Sequence, residues 1–479
     1  MNMLAPSFER QSPRLTPRPV PLASRLIGAG PPLLFVVLLA QAWFREGVAG
    51  WAVGIAYILY DTALLIFTAL EIRRLRDGEP TPAASARRPT LAVIIAARNE
   101  APVLGITIDT LANQAEPPDL ILLADDGSTD QSGETMKSLY GLDAPGHGEM
   151  SGPAPRLPSL RWLRLHHGGK ARALNAAMLH LDTEMVLTID ADTLLAPGAI
   201  KAMRDAFAAE PELVAATGVL APVCGPHLAG RLFQWFQSYE YVRNFLSRYA
   251  WARLDSLLLI SGAFAAFRRE AVMTVGGFDP ACMVEDYELI HRLHRHAADT
   301  GQDWRVRVIG RALASTDAPA SAIGFLRQRR RWFGGFLQTQ HWNRDMVGNR
   351  RYGQLGTRML PVKAIDRFQP IYGLAAFVIL IALIAIGRFH LVLPILLIML
   401  AKVAIDLAFH LWSLGIYKRW TGQRKGLELG PALIASILEP FTFQLLRHAG
   451  AAWGWIAFLR GRETWIKQKR TAIGATAIS

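Results

Sequence analysis

The sequence is poor in cysteine and in acidic residues. It has two cysteines in 479 residues, Cys224 and Cys282, and neither belongs to a C-x-x-C pair, which argues against a disulfide framework and against a zinc site. Lys and Arg number 52 against 39 Asp and Glu, which gives a net charge of +13. Such an excess suits an anionic membrane surface or phosphate-bearing ligands. The arginines cluster beside apolar segments and not along a soluble face, so no nucleic-acid partner is expected.

The chain also lacks internal repeats, and its first residues lack the apolar core and cleavage site of a secretory signal peptide. Residues 1–25 are rich in proline and arginine, and we predict a disordered cytoplasmic tail there. With 51% hydrophobic and 19% charged residues, the chain is too apolar for an ordinary soluble enzyme and too charged to be wholly embedded in a membrane. Both a soluble domain and membrane-spanning helices are therefore expected.

Long apolar runs are present towards both ends of the chain. Two of them, at about 26–44 and 49–70, are each close to the ~20 residues that a spanning helix needs, and arginines flank the pair on both outer sides. The positive-inside rule then predicts a transmembrane hairpin over 26–70 with both ends in the cytoplasm. Further runs at about 368–387, 391–414 and 429–459 predict a C-terminal membrane region at 366–460 and a basic cytoplasmic tail at 461–479.

The number of C-terminal spans is left open at two to four segments. The run 429–459 contains Glu439, Pro440, Arg447 and His448 and is short for two spans, which favours a re-entrant or interfacial helix. The expected location is the inner (plasma) membrane, as a multi-pass protein with its soluble domain in the cytoplasm.

A soluble domain is predicted between the apolar runs. A Pro/Ala-rich linker at 71–89 leads into a domain at 90–315, and residues 316–365 are predicted to form interfacial helices. The runs "LAVIIAA", "LILLADD" and "EMVLTIDAD" are short, β-branched and end in polar residues, as buried parallel strands do, with helical spacing between them. The fold class is therefore α/β, in which ligands gather at the carboxyl ends of the strands.

Pairs of acidic residues follow two of these strands. Asp125 and Asp126 in "LLADDGSTD" suit hydrogen bonds to a ribose or a base, although a capped turn explains them equally well. Asp190 and Asp192 in "TIDADT" lie two residues apart, which predicts a shared direction and a Mg²⁺ or Mn²⁺ ion bound together with substrate phosphate. An exposed acidic turn that caps the next helix is the alternative for this pair.

Three further charged positions are candidate site residues. Glu285 and Asp286 precede an amphipathic helix, where acids stabilise a helix N-terminus, but an ionised carboxylate can also take a proton from a sugar hydroxyl. Lys170 follows two glycines in "HHGGKARALN" and can reach a nucleotide phosphate or base, or lie on the surface.

The stretch "RQRRRWFGGFLQ" reads as a helix. Gln328, Arg331 and Trp332 are three and four positions apart and share one face, which offers an amide, a guanidinium and an indole to a diphosphate and a sugar. Arg329 and Arg330 point elsewhere and are predicted to contact membrane lipids. An interfacial helix with snorkelling arginines is the alternative for the whole stretch.

Ionisable residues also lie within one apolar run. Lys402, Asp406 and His410 follow each other at intervals of four and form a stripe. They either line a path for a growing glycan or form a Lys402–Asp406 pair packed against other helices, and the pair is the favoured interpretation.

Together the motifs resemble the inverting family-2 glycosyltransferases of the processive, membrane-integrated kind, which include cellulose, hyaluronan and poly-N-acetylglucosamine synthases. The matching elements occur in the family's order and are "ARNE" (97–100), "DDGSTD" (125–130), "GKARALN" (169–175), "DAD" (190–192), "SGAFAAFRREA" (261–271), "VED" (284–286) and "QRRRW" (328–332). The resemblance implies a GT-A (Rossmann-like) domain inserted between N-terminal and C-terminal transmembrane helices.

The resemblance also implies roles for individual residues. Asp286 would be the catalytic base, and Asp190 and Asp192 would hold the metal, Mg²⁺ or Mn²⁺. The remaining positions would bind the UDP-sugar donor or the acceptor: Ala97, Glu100, Asp125, Asp126, Lys170, Asp190, Glu285, Gln328, Arg331 and Trp332. The family's usual Thr-Glu-Asp is Val-Glu-Asp here, and Arg172 replaces a residue that is more often small.

The function so implied is transfer of a sugar from a UDP-sugar to a growing β-linked polysaccharide, coupled to export across the membrane. A non-processive transferase that adds one sugar to a lipid is the first alternative, although family members of that kind generally lack the Q-x-x-R-W box. The second is a membrane transporter or nucleotide sensor with an inactive transferase domain. The sequence names neither the sugar nor an accessory subunit.

Overall fold

The computed structural model describes residues 4–44, 47–77, 87–423 and 428–461. Its central feature is an eight-stranded mixed sheet in strand order β3-β2-β1-β4-β7-β6-β8-β5. The strands are β1 (Leu91–Ala97), β2 (Leu120–Asp125), β3 (Leu160–Arg164), β4 (Met185–Asp190), β5 (Thr193–Leu195), β6 (Leu213–Val223), β7 (Phe264–Arg268) and β8 (Arg305–Asp317).

The order of the strands brings the predicted motifs to one edge. Strand β1 pairs in parallel with β2 on one side and β4 on the other, so Ala97 lies opposite Asp125 and Ala96 lies opposite Asp190. The carboxyl ends of all three strands therefore face the same side of the domain. Strand β7 runs antiparallel to β4 and enters the sheet from "SGAF", which brings Gly262 to the same edge.

Helices cover the sheet and flank the domain. In chain order they are α1 (Ala5–Gln11), α2 (Leu22–Phe44), α3 (Ala52–Ile72), α4 (Ala101–Ala112), α5 (Ser132–Tyr140), α6 (Lys170–Met178), α7 (Ala199–Ala209), α8 (Leu228–Ala252), α9 (Arg269–Thr274), α10 (Glu285–Thr300), α11 (Ala322–Trp342), α12 (Leu360–Asp366), α13 (Gln369–Ala385), α14 (Phe389–Thr421), α15 (Leu429–Leu438) and α16 (Phe443–Leu459). Strand β1 is almost wholly buried between them, as its continuous apolar run predicts.

Four helical segments of the described chain are long and apolar enough to cross a membrane. They cover Leu22–Ala42, Val48–Leu75, Leu355–Ala385 and Phe389–Thr421. A fifth apolar segment, Leu429–Phe441 with Phe443–Leu459, bends by 50° and is either a broken span or a re-entrant loop. The predicted α/β domain between two groups of apolar helices is thus confirmed.

The N-terminal segment differs from its prediction. The expected disordered tail at 1–25 is wrong for residues 4–25, which include helix α1 and pack on the α/β domain. Arg14 pairs with Asp279 and Arg18 with Asp299, so the arginines that suggested a solvated tail make ion pairs. Residues 78–86 of the predicted linker and 462–479 of the predicted C-terminal tail lie outside the described residues.

Helices α11 and α16 approach each other closely through glycines. A Cβ atom at Gly450 would come within 2.6 Å of the Cβ of Arg329, and one at Gly454 within 3.0 Å of the amide nitrogen of Gly334. The absence of side chains at these positions lets the bent C-terminal segment rest directly on the helix that carries "QRRRW".

Candidate active site

Lys170 lies at the centre of the charged groups at this edge of the sheet. It opens helix α6, and its Nζ donates to Asp190 Oδ1 at 2.6 Å and to the Gly262 carbonyl at 3.2 Å. Glu285 Oε1 lies 3.5 Å from the same nitrogen. Burial opposes the charge of the ammonium, but the carboxylates of Asp190 and Glu285 outweigh that effect and raise the pKa of Lys170.

Glu285 and Asp286 occupy the first turn of α10 beside this lysine. Burial raises the pKa of Glu285, and the Lys170 ammonium opposes the rise. Asp286 is held by two backbone amides, since its Oδ2 accepts from Gly262 at 2.6 Å and its Oδ1 from Tyr287 at 2.8 Å. The structure therefore brings Lys170, Asp190, Glu285 and Asp286 together around Gly262.

The carboxylates of Asp125 and Asp126 accept hydrogen bonds from other groups of the protein. Asp125 accepts from the Ser128 amide at 2.8 Å and from the Trp162 indole at 3.2 Å. Asp126 accepts from the amides of Gly168 and Gly169, at 2.7 Å and 3.0 Å, and from His167 Nδ1 at 2.8 Å. Asp126 thus fixes the glycine turn that presents Lys170, which is a positioning task that the sequence motif did not reveal.

The "ARNE" motif forms the turn between β1 and α4. Ala97 ends β1, and Glu100 is the residue immediately before α4. Asn99 has a positive φ of 55°, and its Oδ1 accepts from the Thr129 amide at 2.7 Å. The motif therefore ties the end of β1 to the "DGSTD" loop.

Asp190 and Asp192 are the residues predicted to bind a divalent cation. The carboxylate of Asp190 already binds a cationic group, the Lys170 ammonium, whereas Asp192 is 1% exposed. In the described parts of the chain, no group of three or more His, Cys, Asp or Glu side chains is placed to hold a metal. A cation held by these two carboxylates would take its other ligands from diphosphate oxygens and water, as Mg²⁺ commonly does.

The "QRRRW" residues lie on α11, next to the loop that leads to Glu285 and Asp286. Arg331 Nη1 donates to the Met283 carbonyl at 3.3 Å, two residues before Glu285. Gln328 is 8% exposed, and its Oε1 is buried with no hydrogen-bond partner among the described residues. Trp332 lies one turn further on the same face and is half-buried.

The prediction that Arg329 contacts lipid is wrong. Arg329 is 7% exposed and forms two hydrogen bonds with the carboxylate of Glu240, at 2.6 Å and 2.8 Å. Its guanidinium also lies over the ring of Trp332, 4.6 Å from the centroid. The pair with Glu240 joins α11 to α8, and the partner of Arg329 is 89 residues away in sequence, which the local arginine pattern does not reveal.

The structure also identifies residues that the motif analysis left without a role. Asn175, the last residue of "GKARALN", donates to the Phe278 carbonyl at 2.8 Å and accepts from the Phe278 amide at 2.7 Å. Gln338 on α11 accepts from the Met283 amide at 3.2 Å and donates to the Ala281 carbonyl at 3.3 Å. Both side chains fix the loop in front of Glu285 and Asp286.

Comparison with known proteins agrees with this geometry. Residues 92–276 match the family model described as "Glycosyl transferase family 2", and residues 185–414 match "Glycosyl transferase family group 2". The fold is similar to that of a mannosyltransferase from Pyrobaculum calidifontis in complex with GDP-Man and Mn²⁺. That likeness has a TM-score of 0.53 at 22% identity and covers 82% of this chain and 99% of the other, and it supports the GT-A fold.

Three curated relatives of this chain are named for different activities. One is a beta-monoglucosyldiacylglycerol synthase of Synechocystis sp., 24% identical over 63% of this chain and 59% of the relative. The second is a poly-beta-1,6-N-acetyl-D-glucosamine synthase of Staphylococcus epidermidis, 24% identical over 51% and 54%. The third is an N-acetylglucosaminyltransferase of Mesorhizobium japonicum, 27% identical over 57% and 62%.

The chain therefore spans less than two thirds of the length of each of these relatives. The two family models cover its α/β domain and continue into the C-terminal apolar helices. With the GT-A sheet and the charged groups at its edge, these matches identify the chain as a member of the family-2 glycosyltransferases, and the predicted family and fold are confirmed.

Proposed function

We propose that this protein is an inverting glycosyltransferase that moves a sugar from a UDP-sugar to a growing β-linked polysaccharide at a membrane. The observation that carries the proposal is the convergence of Lys170, Asp190 and Glu285 beside Asp286. A poly-β-1,6-N-acetylglucosamine synthase among the relatives supports a β-linked polysaccharide, and an N-acetylglucosaminyltransferase supports sugar transfer.

In the proposed reaction, an acceptor hydroxyl attacks the anomeric carbon while the bond from that carbon to the diphosphate breaks. Asp286 takes the hydroxyl proton, and the electron pair of the broken bond leaves with the diphosphate. Two backbone amides hold the Asp286 carboxylate in place, so little reorganisation is needed at the moment of transfer.

Charge on the leaving diphosphate is balanced by cations of this chain. Lys170 stays protonated, because its raised pKa keeps the ammonium charged at neutral pH. Arg331 adds a guanidinium from α11, and the half-buried Trp332 offers an indole face to the acceptor sugar. The buried, unpartnered Oε1 of Gln328 accepts a hydrogen bond from the same substrate.

Asp190 and Asp192 are the residues that would hold a divalent cation. Mn²⁺ accompanies GDP-Man in the structurally similar mannosyltransferase, which supports a metal with the donor here, either Mg²⁺ or Mn²⁺. When bound, such an ion neutralises charge on the diphosphate.

The apolar helices support a multi-pass membrane protein, and the proposed location is the inner membrane with the catalytic domain in the cytoplasm, where UDP-sugars are made.

The second candidate function is transfer of a single sugar to a lipid, which the relative named for monoglucosyldiacylglycerol synthesis favours. The two candidates differ in product length.

The test uses membranes that contain the full chain, incubated with individual UDP-sugars. We expect UDP release with one donor and a product of many sugar units, whereas a lipid carrying a single sugar would support the second candidate.

Asp286→Asn is expected to bind donor almost normally and to lose transfer by at least ~10³-fold, because the proton acceptor is removed. The matched control is Asp143→Asn, since Asp143 is 80% exposed and pairs with Lys137, which is not one of the site residues. Transfer retained by Asp286→Asn would refute the assignment of the base.

A further inference from the structure

Residues 4–18, here called the N-terminal strap, lie across the α/β domain. Leu4 and Ser12 are buried, and Phe8 on α1 packs on Gly276. Gly276 has a positive φ of 87°, and a Cβ atom there would come within 2.3 Å of the Phe8 nitrogen. The contact between strap and domain therefore requires glycine at this position.

Arg14 of the strap reaches a fully buried carboxylate. Its Nε and Nη2 donate to Asp279 Oδ2 at 3.1 Å and to Oδ1 at 3.0 Å, and Asp279 is 0% exposed. Asp279 Oδ1 also accepts from the Ala281 amide at 2.9 Å, so the same carboxylate that Arg14 neutralises fixes a turn. A buried carboxylate that loses its cation is strongly unfavourable, and the turn would have to shift to solvate it.

The turn leads directly into the proposed catalytic residues. The base loop, defined as residues 275–284, runs from α9 to Glu285 and Asp286. Arg292 of α10 donates to the carbonyls of Val275 and Gly277, both at 2.6 Å, and lies 5.0 Å from the centroid of the Phe8 ring. The strap thus contacts the base loop at its start through Phe8 and at its middle through Arg14.

We infer that Arg14 is a positioning residue, which holds the base loop through Asp279 so that Asp286 is correctly placed. This inference rests on the proposed function, in which Asp286 takes the acceptor proton. Lys170 and Asp190 come from other elements, α6 and β4, and α6 contacts the base loop at a separate point, through the hydrogen bonds between Asn175 and Phe278. Loss of Arg14 should therefore reduce kcat and leave the KM for the donor nearly unchanged.

The experiment compares Arg14→Gln with Arg18→Gln in the full-length protein in membranes. Both changes remove a strap ion pair, but Arg18 pairs with Asp299 near the surface, away from the base loop. We expect Arg14→Gln to lower kcat by at least ~10-fold with the donor KM within about twofold, since small misplacements of catalytic groups are costly. Arg18→Gln is expected to keep kcat within about twofold.

A second variant keeps the test decisive if Arg14→Gln folds poorly. Arg14→Gln with Asp279→Asn removes the stranded charge but retains an oxygen for the Ala281 amide, and it should recover most of the lost kcat. Wild-type kcat in Arg14→Gln, or an equal loss of kcat in Arg14→Gln and Arg18→Gln, would overturn the inference. So would a double variant no better than Arg14→Gln. Absence of turnover in the wild-type protein with every UDP-sugar would instead count against the proposed function.

Discussion

Gly262 connects the two charged halves of the site at the residue scale. Its amide donates to Asp286 and its carbonyl accepts from Lys170, so the backbone of one residue sets the distance between the proposed base and the lysine of the donor site. A side chain here would come within 2.9 Å of Asp286 Oδ2 and 3.2 Å of its Cγ. The glycine is therefore required by the close approach of a carboxylate and not by a positive φ.

Gly262→Ala should consequently displace Asp286 while the fold is retained. We expect kcat for sugar transfer to fall on the order of 10²-fold, because the added methyl group forces the carboxylate away from its amide donor. Gly152→Ala is the matched control, since a Cβ atom at Gly152 meets nothing within 4 Å. Steady-state kinetics on both variants in membranes measure the effect. Normal turnover in Gly262→Ala would mean that the position of Asp286 does not limit the reaction.

The residue scale also shows where sequence reasoning is strong. Lys170, Asp190, Glu285 and Asp286 were candidates from their local motifs, and they converge because they follow strands or begin helices at one edge of the sheet. Asp126 was a candidate ligand for the donor, but its oxygens are taken up by backbone amides of a turn 42 residues further on. The sequence can therefore identify a carboxylate at the edge of the sheet, whereas the group that it binds depends on the tertiary fold.

At the scale of elements, α10 and α11 form the two sides of the proposed acceptor site and share a buried polar contact. His291 of α10 donates through Nδ1 to the Tyr287 carbonyl at 2.9 Å and accepts through Nε2 from Gln340 of α11 at 3.3 Å. Gln340 also donates to the Tyr287 hydroxyl at 3.0 Å. This arrangement requires a neutral imidazole, because Nε2 acts as an acceptor.

The contact makes the stability of this helix pair sensitive to acid. Burial lowers the pKa of His291 to about 3, against 6.5 for an ordinary histidine. As pH falls below 6.5, the unfolded chain binds a proton that the folded chain does not, so stability is lost progressively towards pH 3. We expect about 2 kcal/mol less stability at pH 5 than at pH 7 from this group, at about 1.4 kcal/mol per pH unit.

Urea denaturation in detergent, followed by tryptophan fluorescence at pH 7 and pH 5, measures this loss. The difference between the two pH values should shrink by about that amount in His291→Gln and remain in His227→Gln, since His227 is exposed. An unchanged pH dependence in His291→Gln would show that other groups cause the acid sensitivity.

The elements themselves were predictable where hydrophobic periodicity is strong. Strands β1, β2 and β4 and helices α2, α3, α13 and α14 lie where apolar runs predicted them. Helix α1 was missed, because a short segment rich in Pro and Arg carries no periodic signal. The segment is held by Phe8 of α1 on Gly276 and by Arg14, beyond the helix, on Asp279. Whether such a segment is helical depends on its tertiary contacts, which its own sequence does not reveal.

At the scale of the whole molecule, ion pairs connect the two groups of apolar helices. Lys402 on α14 donates to Asp406 one turn later, as the sequence spacing suggested, and also lies 2.7 Å from Asp61 on α3. Asp61 was missing from the prediction, since it precedes Lys402 by 341 residues in the chain. These three side chains line a cavity of about 80 Å³ together with Arg243 and Glu439, among others. The cluster therefore ties the N-terminal to the C-terminal helices.

This arrangement favours a structural role for the cluster over a path for the glycan. The two interpretations predict different stability and polymer length for variants of these residues. Lys402→Met leaves Asp61 and Asp406 facing each other without their shared cation, and we expect a loss of about 3–5 kcal/mol in stability. Lys418→Met, at the basic end of α14, is the control. Adding Asp406→Asn to Lys402→Met removes the carboxylate that has lost its cation, while Asp61 keeps Arg243 at 3.7 Å. This double variant should restore most of the stability, measured as the denaturation midpoint in detergent. If the cluster is only a structural tie, this double variant also makes polymer of wild-type length. A stable double variant with shortened polymer would instead assign these residues to the path of the glycan.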